Sequence, residues 1–301
     1  METILIRTDS SSEIGTGHIM RSIVLAKKFS KNKIIFLVEN LEGNINYKIQ
    51  ESGFELINLK SKKIEELISL IKKYEAKKLI VDHYDISFSD EQKIKKETGV
   101  VLFVLDDTYK EHFCDIILNH NIGADKKRYL NLVPKNTKIM CGQKYALIRN
   151  EFYKEKKILR QKNFKTKKIM LALGGADILN LNCKILNLMS TISNITLDIT
   201  TTEANANLSD LKQMVKKYNY FAKLHINTDR MARLMNESNL IITTPSVTIN
   251  EVFFMEKPFI AIKVADNQKI IFDYLDKNSY FTMNEYCDNV LRKYIKQILE
   301  I

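Results

Sequence analysis

No apolar run in this chain reaches the roughly 18 residues that a membrane span needs, so an inserted protein is not expected. The opening residues METILIRTDS lack the basic stretch and apolar core of a secretory signal. Ile4 to Ile6 read better as a first strand. Cysteine is sparse: Cys114, Cys141, Cys183 and Cys287 form neither a CxxC pair nor a Cys/His cluster with zinc spacing. Scattered cysteines without a leader point to free thiols and the cytoplasm. Arginine is scarce as well. The formal net charge of +11 comes from 47 basic and 36 acidic residues, but only eight of the basic ones are arginine. The excess is lysine, in pairs such as Lys27-Lys28, Lys62-Lys63, Lys77-Lys78 and Lys156-Lys157. Such pairs on amphipathic helices read as solvated faces. There is no aromatic-rich basic strand and no helix-turn-helix pattern, so a nucleic-acid partner is not expected.

What is present is a long globular chain. Its 301 residues are 45% hydrophobic and 28% charged, which suits two domains of about 150 residues each. Strands are expected at Thr3–Arg7, Lys33–Val38, Leu79–Val81 and Val100–Leu105, with helices over Ile19–Phe29 and Ile64–Ile71. The segment NEFYKEKKILRQKNFKTKK, near Arg149 to Lys167, is strongly charged and reads as a partly helical connector. A second series follows, with strands at Ile169–Leu173, Ile195–Ile199, Ala222–Ile226, Leu240–Thr243 and Phe259–Ile262 and a helix over Val247–Met255. Near-continuous apolar strands alternating with helices imply parallel sheets covered on both faces. The expected class is α/β, with Rossmann-like domains at residues 1–150 and 151–301. Ligands of such domains bind outside the carboxyl ends of the strands.

Four features lie at those ends. Gly15-Thr16-Gly17-His18 separates the first strand from the first helix. Its glycines allow a tight turn, and the helix start favours an anion. The spacing is not GxGxxG, so the nicotinamide fingerprint fails. A structural turn with a capping histidine fits this stretch equally well. Leu173-Gly174-Gly175-Ala176-Asp177 stands at the matching junction of the second half and suits a phosphate cradle. A loop that merely needs positive φ is the alternative. The third feature runs from Thr243 to Glu251. The helix amides beyond Ser246 can hold a diphosphate, and Glu251 one turn in can accept both ribose hydroxyls. Alternatively, Ser246 is an N-cap and Glu251 faces solvent. The fourth is Asp82-His83-Tyr84 with Asp106-Asp107 at the next strand end. Those groups are expected to converge on one cleft. No third metal ligand is evident, so no metal is expected. His112, His120 and His225 lie in no recognisable context.

Taken in order, these features resemble one family. RTDSSSEIGTGHIMRSIVLAKKFS is similar to the opening of the UDP-2,4-diacetamido-2,4,6-trideoxy-β-L-altropyranose hydrolases of pseudaminic acid biosynthesis. The resemblance continues through VDHYDIS, VLDDTY, CDIILN, CGQKYALIRNEFY, LGGAD, LMNESNLIIT and SVTINE, from about Ile4 to Lys263. Residues 267–301 match no motif; they are expected to cap the second domain, with the last helix packing back on the first.

The resemblance implies a GT-B-like fold, two Rossmann-like domains facing across a cleft, akin to the transferase that adds N-acetylglucosamine to the peptidoglycan lipid precursor. It implies hydrolysis of the anomeric C–O bond with inversion, releasing UDP and the free sugar without a cofactor or metal. His18 matches the family's general base, beside Gly17. Gly174, Gly175, Ser246 and Glu251 match nucleotide-contacting positions, with Asn250 and Arg149 carried over beside them. Asp82 and Tyr84 are placed to help the sugar or the water. The nucleotide is expected on the second domain and the sugar toward the first. A two-domain enzyme of this kind needs no partner to form its site, so a monomer is expected. A GT-B glycosyltransferase with a UDP-sugar donor and a non-catalytic nucleotide-sugar binding protein remain the alternatives, because fold does not decide between them.

Overall fold

Apolar strands and amphipathic helices alternate in the computed structural model, which describes residues 1–159 and 165–301. The chain divides into two compact units, Met1–Leu147 and Ile148–Ile301. The first contains β1 (Thr3–Thr8), α1 (Gly17–Lys27), β2 (Lys33–Val38), α2 (Tyr47–Glu51), β3 (Glu55–Asn58) and α3 (Ile64–Lys73). It continues with β4 (Lys78–Asp82), α4 (Phe88–Thr98), β5 (Val101–Leu105), β6 (Ile116–Asn119) and β7 (Lys138–Cys141). All its strand pairs are parallel, in the order β3-β2-β1-β4-β5-β6-β7.

Alternation along the strands fills two cores. Ile4, Ile6, Phe36 and Ile80 pack on one face with Ile19, Ile23 and Ala26 of α1. Leu5, Ile35, Leu37, Leu79 and Val81 pack on the other, with Leu67, Ile68 and Ile71 of α3 and Ile94 of α4. α4 carries a capping box, in which Ser87 accepts from Asp90 N–H and Asp90 accepts from Ser87 N–H. Gly99, at φ 66°, ends the helix.

The second unit opens with α5 (Asn150–Lys156), β8 (Lys167–Ala172), α6 (Leu181–Met189), β9 (Ile195–Thr201), α7 (Leu208–Lys217) and β10 (Ala222–Ile226). It closes with α8 (Met231–Glu237), β11 (Leu240–Thr243), α9 (Val247–Phe254), β12 (Phe259–Ile262), α10 (Lys269–Lys277), β13 (Thr282–Met283) and α11 (Asp288–Leu299). Its sheet is again parallel, in the order β10-β9-β8-β11-β12-β13.

The charged stretch read as a connector is partly a working element of this unit. α5 buries Phe152, and Asn236 of α8 donates to the Glu155 carbonyl at 3.1 Å. Residues 160–164 of that stretch lie outside the described residues. The motif-free tail supplies α10, β13 and α11. Leu291, Ile295 and Leu299 of α11 enter the second unit's own core, beside Ile185 and Leu186 of α6. Among the described residues no helix is long and apolar enough to cross a membrane.

Candidate active site

Each sheet reverses its strand order once, and the reversal opens a crevice at the carboxyl ends of the two strands beside it. In the first sheet that point lies between β1 and β4, where Thr8 pairs with Asp82. In the second it lies between β8 and β11, where Ala172 pairs with Thr243. Nearly all the residues singled out in the sequence fall at these two points.

At the first point, Gly15 takes φ +80° and donates its N–H to the Ser11 carbonyl at 2.9 Å, closing the loop after β1. Gly17 then opens α1, whose N-terminus has no side-chain cap. His18, Arg21 and Ser22 share one face of this helix at spacings of three and four. All three turn to the buried Asp82 carboxylate at the end of β4. His18 Nδ1 lies 2.7 Å from Asp82 Oδ1. Arg21 takes both Asp82 oxygens, Nη2 to Oδ1 at 2.5 Å and Nε to Oδ2 at 2.8 Å. The Ser22 hydroxyl donates to Oδ2 at 3.1 Å.

Burial alone would raise the Asp82 carboxyl, but the Arg21 charge and the hydrogen bonds from Arg21 and His18 hold it well below the usual carboxylate range. Asp82 is therefore ionised and can only accept. His18 Nδ1 must carry the proton it donates, which leaves Nε2 with the free lone pair. Arg21 Nη2 lies 3.2 Å from the same Nδ1, a contact of two donors bridged by the Asp82 oxygen.

A second carboxylate extends the network. Arg21 Nη1 donates to Asp107 Oδ2 at 2.7 Å, and the Tyr84 hydroxyl donates to Asp107 Oδ1 at 2.9 Å. The Tyr84 ring meets His18 edge-on, 4.8 Å between centroids. Burial, then the Asp107 charge, push the Tyr84 phenol up, so it stays a donor. Tyr84 is 40% exposed and can reach a ligand, whereas Asp82 is 1% exposed with both oxygens engaged.

The remaining polar groups at these strand ends do not converge as expected. His83 follows Asp82 and departs from it. Its Nδ1 accepts from Asp85 N–H at 3.1 Å, and its Nε2 faces Asp9 Oδ2 at 3.0 Å. Asp9, Glu39 and His83 place ligand atoms within 4.8 Å of one another. Arg7 already fills that trio, with Nη1 2.6 Å from Asp9 and Nη2 2.7 Å from Glu39. A guanidinium there repels a cation. Asp106 likewise turns from Asp107: it accepts from Thr108 and Tyr109 N–H and from the Tyr129 hydroxyl at 2.6 Å.

The other histidines have defined surroundings. Burial pulls His112 down, but Asp106 and Glu91 outweigh it and raise the ring to about 9. Burial, then Arg21, lower His120 to about 3. His225 meets Asp198 at 2.7 Å.

At the second point, Gly174 takes φ +91°, and a Cβ there would meet nothing. A Cβ on Gly175 would lie 2.7 Å from Thr202 Oγ1, so close packing, and not conformation, requires this glycine. The Asp177 carboxylate accepts from the N–H groups of Leu181 and Asn182 at 2.8 and 2.9 Å and so caps α6. Burial raises it despite those bonds. Ser246 occupies the N-cap position of α9 without capping it; its hydroxyl pairs with Thr244 at 3.0 Å. Asn250 and Glu251 are buried, so Glu251 does not face solvent. Arg149 grips it with Nε to Oε1 at 2.7 Å and Nη2 to Oε2 at 3.0 Å. A carboxylate so held retains lone pairs for further donors.

Arg21 and Asp107 in its network role went unassigned in the sequence. The legible signal was His-x-x-Arg-Ser on a helix face, next to an aspartate at a strand end.

No family model matches the chain. It is 40% identical over 283 residues to the UDP-2,4-diacetamido-2,4,6-trideoxy-beta-L-altropyranose hydrolase of Campylobacter jejuni, covering 94% of this chain and 99% of the relative. It is 33% identical to an uncharacterized protein of Methanocaldococcus jannaschii, covering 93% of this chain but 60% of that one. Among solved structures, MurG of Acinetobacter baumannii superposes with a TM-score of 0.67 at 10% identity, covering 99% of this chain and 91% of that one. Anabaena Alr3699/HepE, solved with UDP and glucose, gives 0.63 at 10% identity, covering 100% and 90%. These likenesses show the fold, which is α/β of the GT-B kind. With near-complete coverage of both chains at 40% identity, the chain belongs to the family of the UDP-2,4-diacetamido-2,4,6-trideoxy-beta-L-altropyranose hydrolase.

Proposed function

We propose that the chain hydrolyses UDP-2,4-diacetamido-2,4,6-trideoxy-β-L-altropyranose, releasing UDP and the free sugar as a step of pseudaminic acid biosynthesis. The observation that carries the reading is the 40% identity to the Campylobacter hydrolase along 99% of its length. The His18–Asp82 pair supplies a matching chemistry. Water attacks the anomeric carbon while the C1–O bond breaks, and that electron pair leaves on the β-phosphate oxygen. His18 Nε2 takes the proton of the attacking water. Asp82, hydrogen-bonded to Nδ1, holds the ring and stabilises the imidazolium that forms. Attack opposite the departing UDP inverts the anomeric centre.

We assign UDP to the second unit, where Gly174, Gly175, Ser246 and Asn250 surround a strand-order reversal and Glu251 accepts ribose hydroxyls. The uncapped amides at the start of α9 take up diphosphate charge. Tyr84 and Gly17 belong to the sugar and water side, in the first unit. A cytoplasmic, monomeric enzyme completes the reading.

The test is turnover without an acceptor. Purified chain and the UDP-sugar should yield stoichiometric UDP and free sugar, with the inverted anomer formed first by proton NMR. Turnover that requires an alcohol acceptor would make the chain a transferase.

A further inference from the structure

We propose that Arg21 is a positioning residue of this site: it clamps Asp82 against His18, takes up Asp107, and offsets carboxylate charge that would otherwise hold a proton on the imidazole. The inference rests on the reading of His18 as base and deepens it.

The geometry is specific to arginine. The guanidinium binds both Asp82 oxygens through Nε and Nη2, and it spends its third nitrogen on Asp107 at 2.7 Å. One planar group thus fixes the carboxylate that holds His18 Nδ1 and the carboxylate that holds the Tyr84 hydroxyl. A lysine ammonium cannot reproduce that fork. Arg21 is 4% exposed, so solvent screens little of this.

The charge balance gives the second half of the argument. The titratable groups on the ring itself are Asp82 and Tyr84 from the end of β4 and Arg21 of α1. Asp107 after β5 joins them through Arg21 and Tyr84, and His120 after β6 feels the charges of Arg21, Asp107 and Asp82. Lys110 stands over the outer face of the Tyr84 ring at 5.7 Å. Tyr84 and His120 are neutral near pH 7, since burial and the neighbouring charges push the phenol up and the imidazole down. Asp82 and Asp107 then carry two negative charges, against one positive charge on Arg21. Without Arg21 the charges of Asp82, hydrogen-bonded to the His18 ring, and of Asp107, reached through the Tyr84 hydroxyl, are uncompensated. A proton on the ring would then be held more tightly, which weakens His18 as a base. With Arg21 in place, one excess negative charge remains to balance the imidazolium formed when His18 Nε2 takes the proton of water.

The experiment follows the protonation of His18 directly, by NMR of the full chain with labelled histidine, beside the acid limb of the pH profile of kcat/KM. Arg21→Met should move both midpoints upward by about one unit or more, since a cation within contact distance shifts a neighbour by about that much. Asp107→Asn, which keeps the shape and removes one carboxylate, should move both downward. Arg21→Lys should leave the acid limb near its original place and lower the plateau kcat. If Arg21→Met does not fold, Asp107→Asn decides by its sign. No shift, or a shift in the opposite sense, in the folded variants overturns the inference. If His18→Ala kept full turnover, the reading of His18 as base would fall, while the NMR midpoints would still judge Arg21.

Discussion

His112 and His120 are both buried in the first unit, yet their surroundings pull in opposite directions. The ordinary histidine value is 6.5, and Asp106 and Glu91 raise His112 to about 9 against the pull of burial. Folded chain therefore keeps a proton that unfolded chain releases, and the stability this supplies is full below 6.5 and lost as pH rises through 9. Burial lowers His120 to about 3. Here it is the unfolded chain that takes up a proton below 6.5, so stability is full above that value and lost as pH falls toward 3. Urea midpoints should thus be highest near pH 6 to 7 and fall on either side. His112→Gln should flatten the alkaline side and His120→Gln the acidic side; unchanged slopes would contradict these assignments. Nearer the chemistry, His18→Ala should bind UDP as before and turn over at least about a hundredfold more slowly, as expected for a lost general base. Glu251→Ala should mainly weaken UDP binding by calorimetry, because it removes the ribose acceptor and leaves Arg149, among the described residues, only its Glu151 ion pair at 3.0 Å. Equal affinity would leave the Arg149–Glu251 pair a purely structural contact.

The second glycine of the β8–α6 loop acts through the loop's packing. An alanine at 175 would press on the branched Thr202 side chain, whose hydroxyl also donates to the Gly175 carbonyl at 3.1 Å. Gly175→Ala should cost about 1–3 kcal/mol, as overpacking does. Thr202→Ala should restore part of that in a double-mutant cycle, and strict additivity would contradict the steric account. The same elements show what was legible beforehand. β2, β10, β11 and β12 were read to the residue: β2, β11 and β12 because buried parallel strands are near-continuous apolar runs between polar loops, and the edge strand β10, AKLHI, because its apolar residues alternate with polar ones. α4 was passed over, since FSDEQKIKKET buries only Ile94 and Glu91 and has almost no apolar stripe; its real signal was the Ser87–Asp90 capping box. β7 is half-buried and β13 has two residues, too little for a pattern. In the site, the glycine turn alone left His18 open between a capping and a functional role, and the family resemblance singled it out. Asp82 was singled out too, but its bond to His18 was not legible, because Asp82 lies 64 positions away and meets it only through the β1–β4 pairing. His83 was misplaced for a different reason: adjacent residues at a strand end leave on different sides, and His83 turns to Asp9.

At the scale of the molecule, two parallel sheets each reverse their order once, and the candidate residues gather at those reversals. The net charge of +11 bears on approach of the substrate more than on its chemistry. A dianionic nucleotide sugar should be steered, so kcat/KM should fall as salt rises past the point where the screening length is about 10 Å, while kcat changes little. A salt-independent kcat/KM would mean that the lysines are only a solvated surface.

The central claim is which bond breaks and what replaces it. The most direct measurement is UDP release from the diacetamido-altrose nucleotide in ¹⁸O-water with no acceptor, followed by mass analysis of both products. Cleavage at the anomeric carbon predicts label in the free sugar and none in UDP. Label in UDP would mean attack at phosphorus and would contradict the role given to His18.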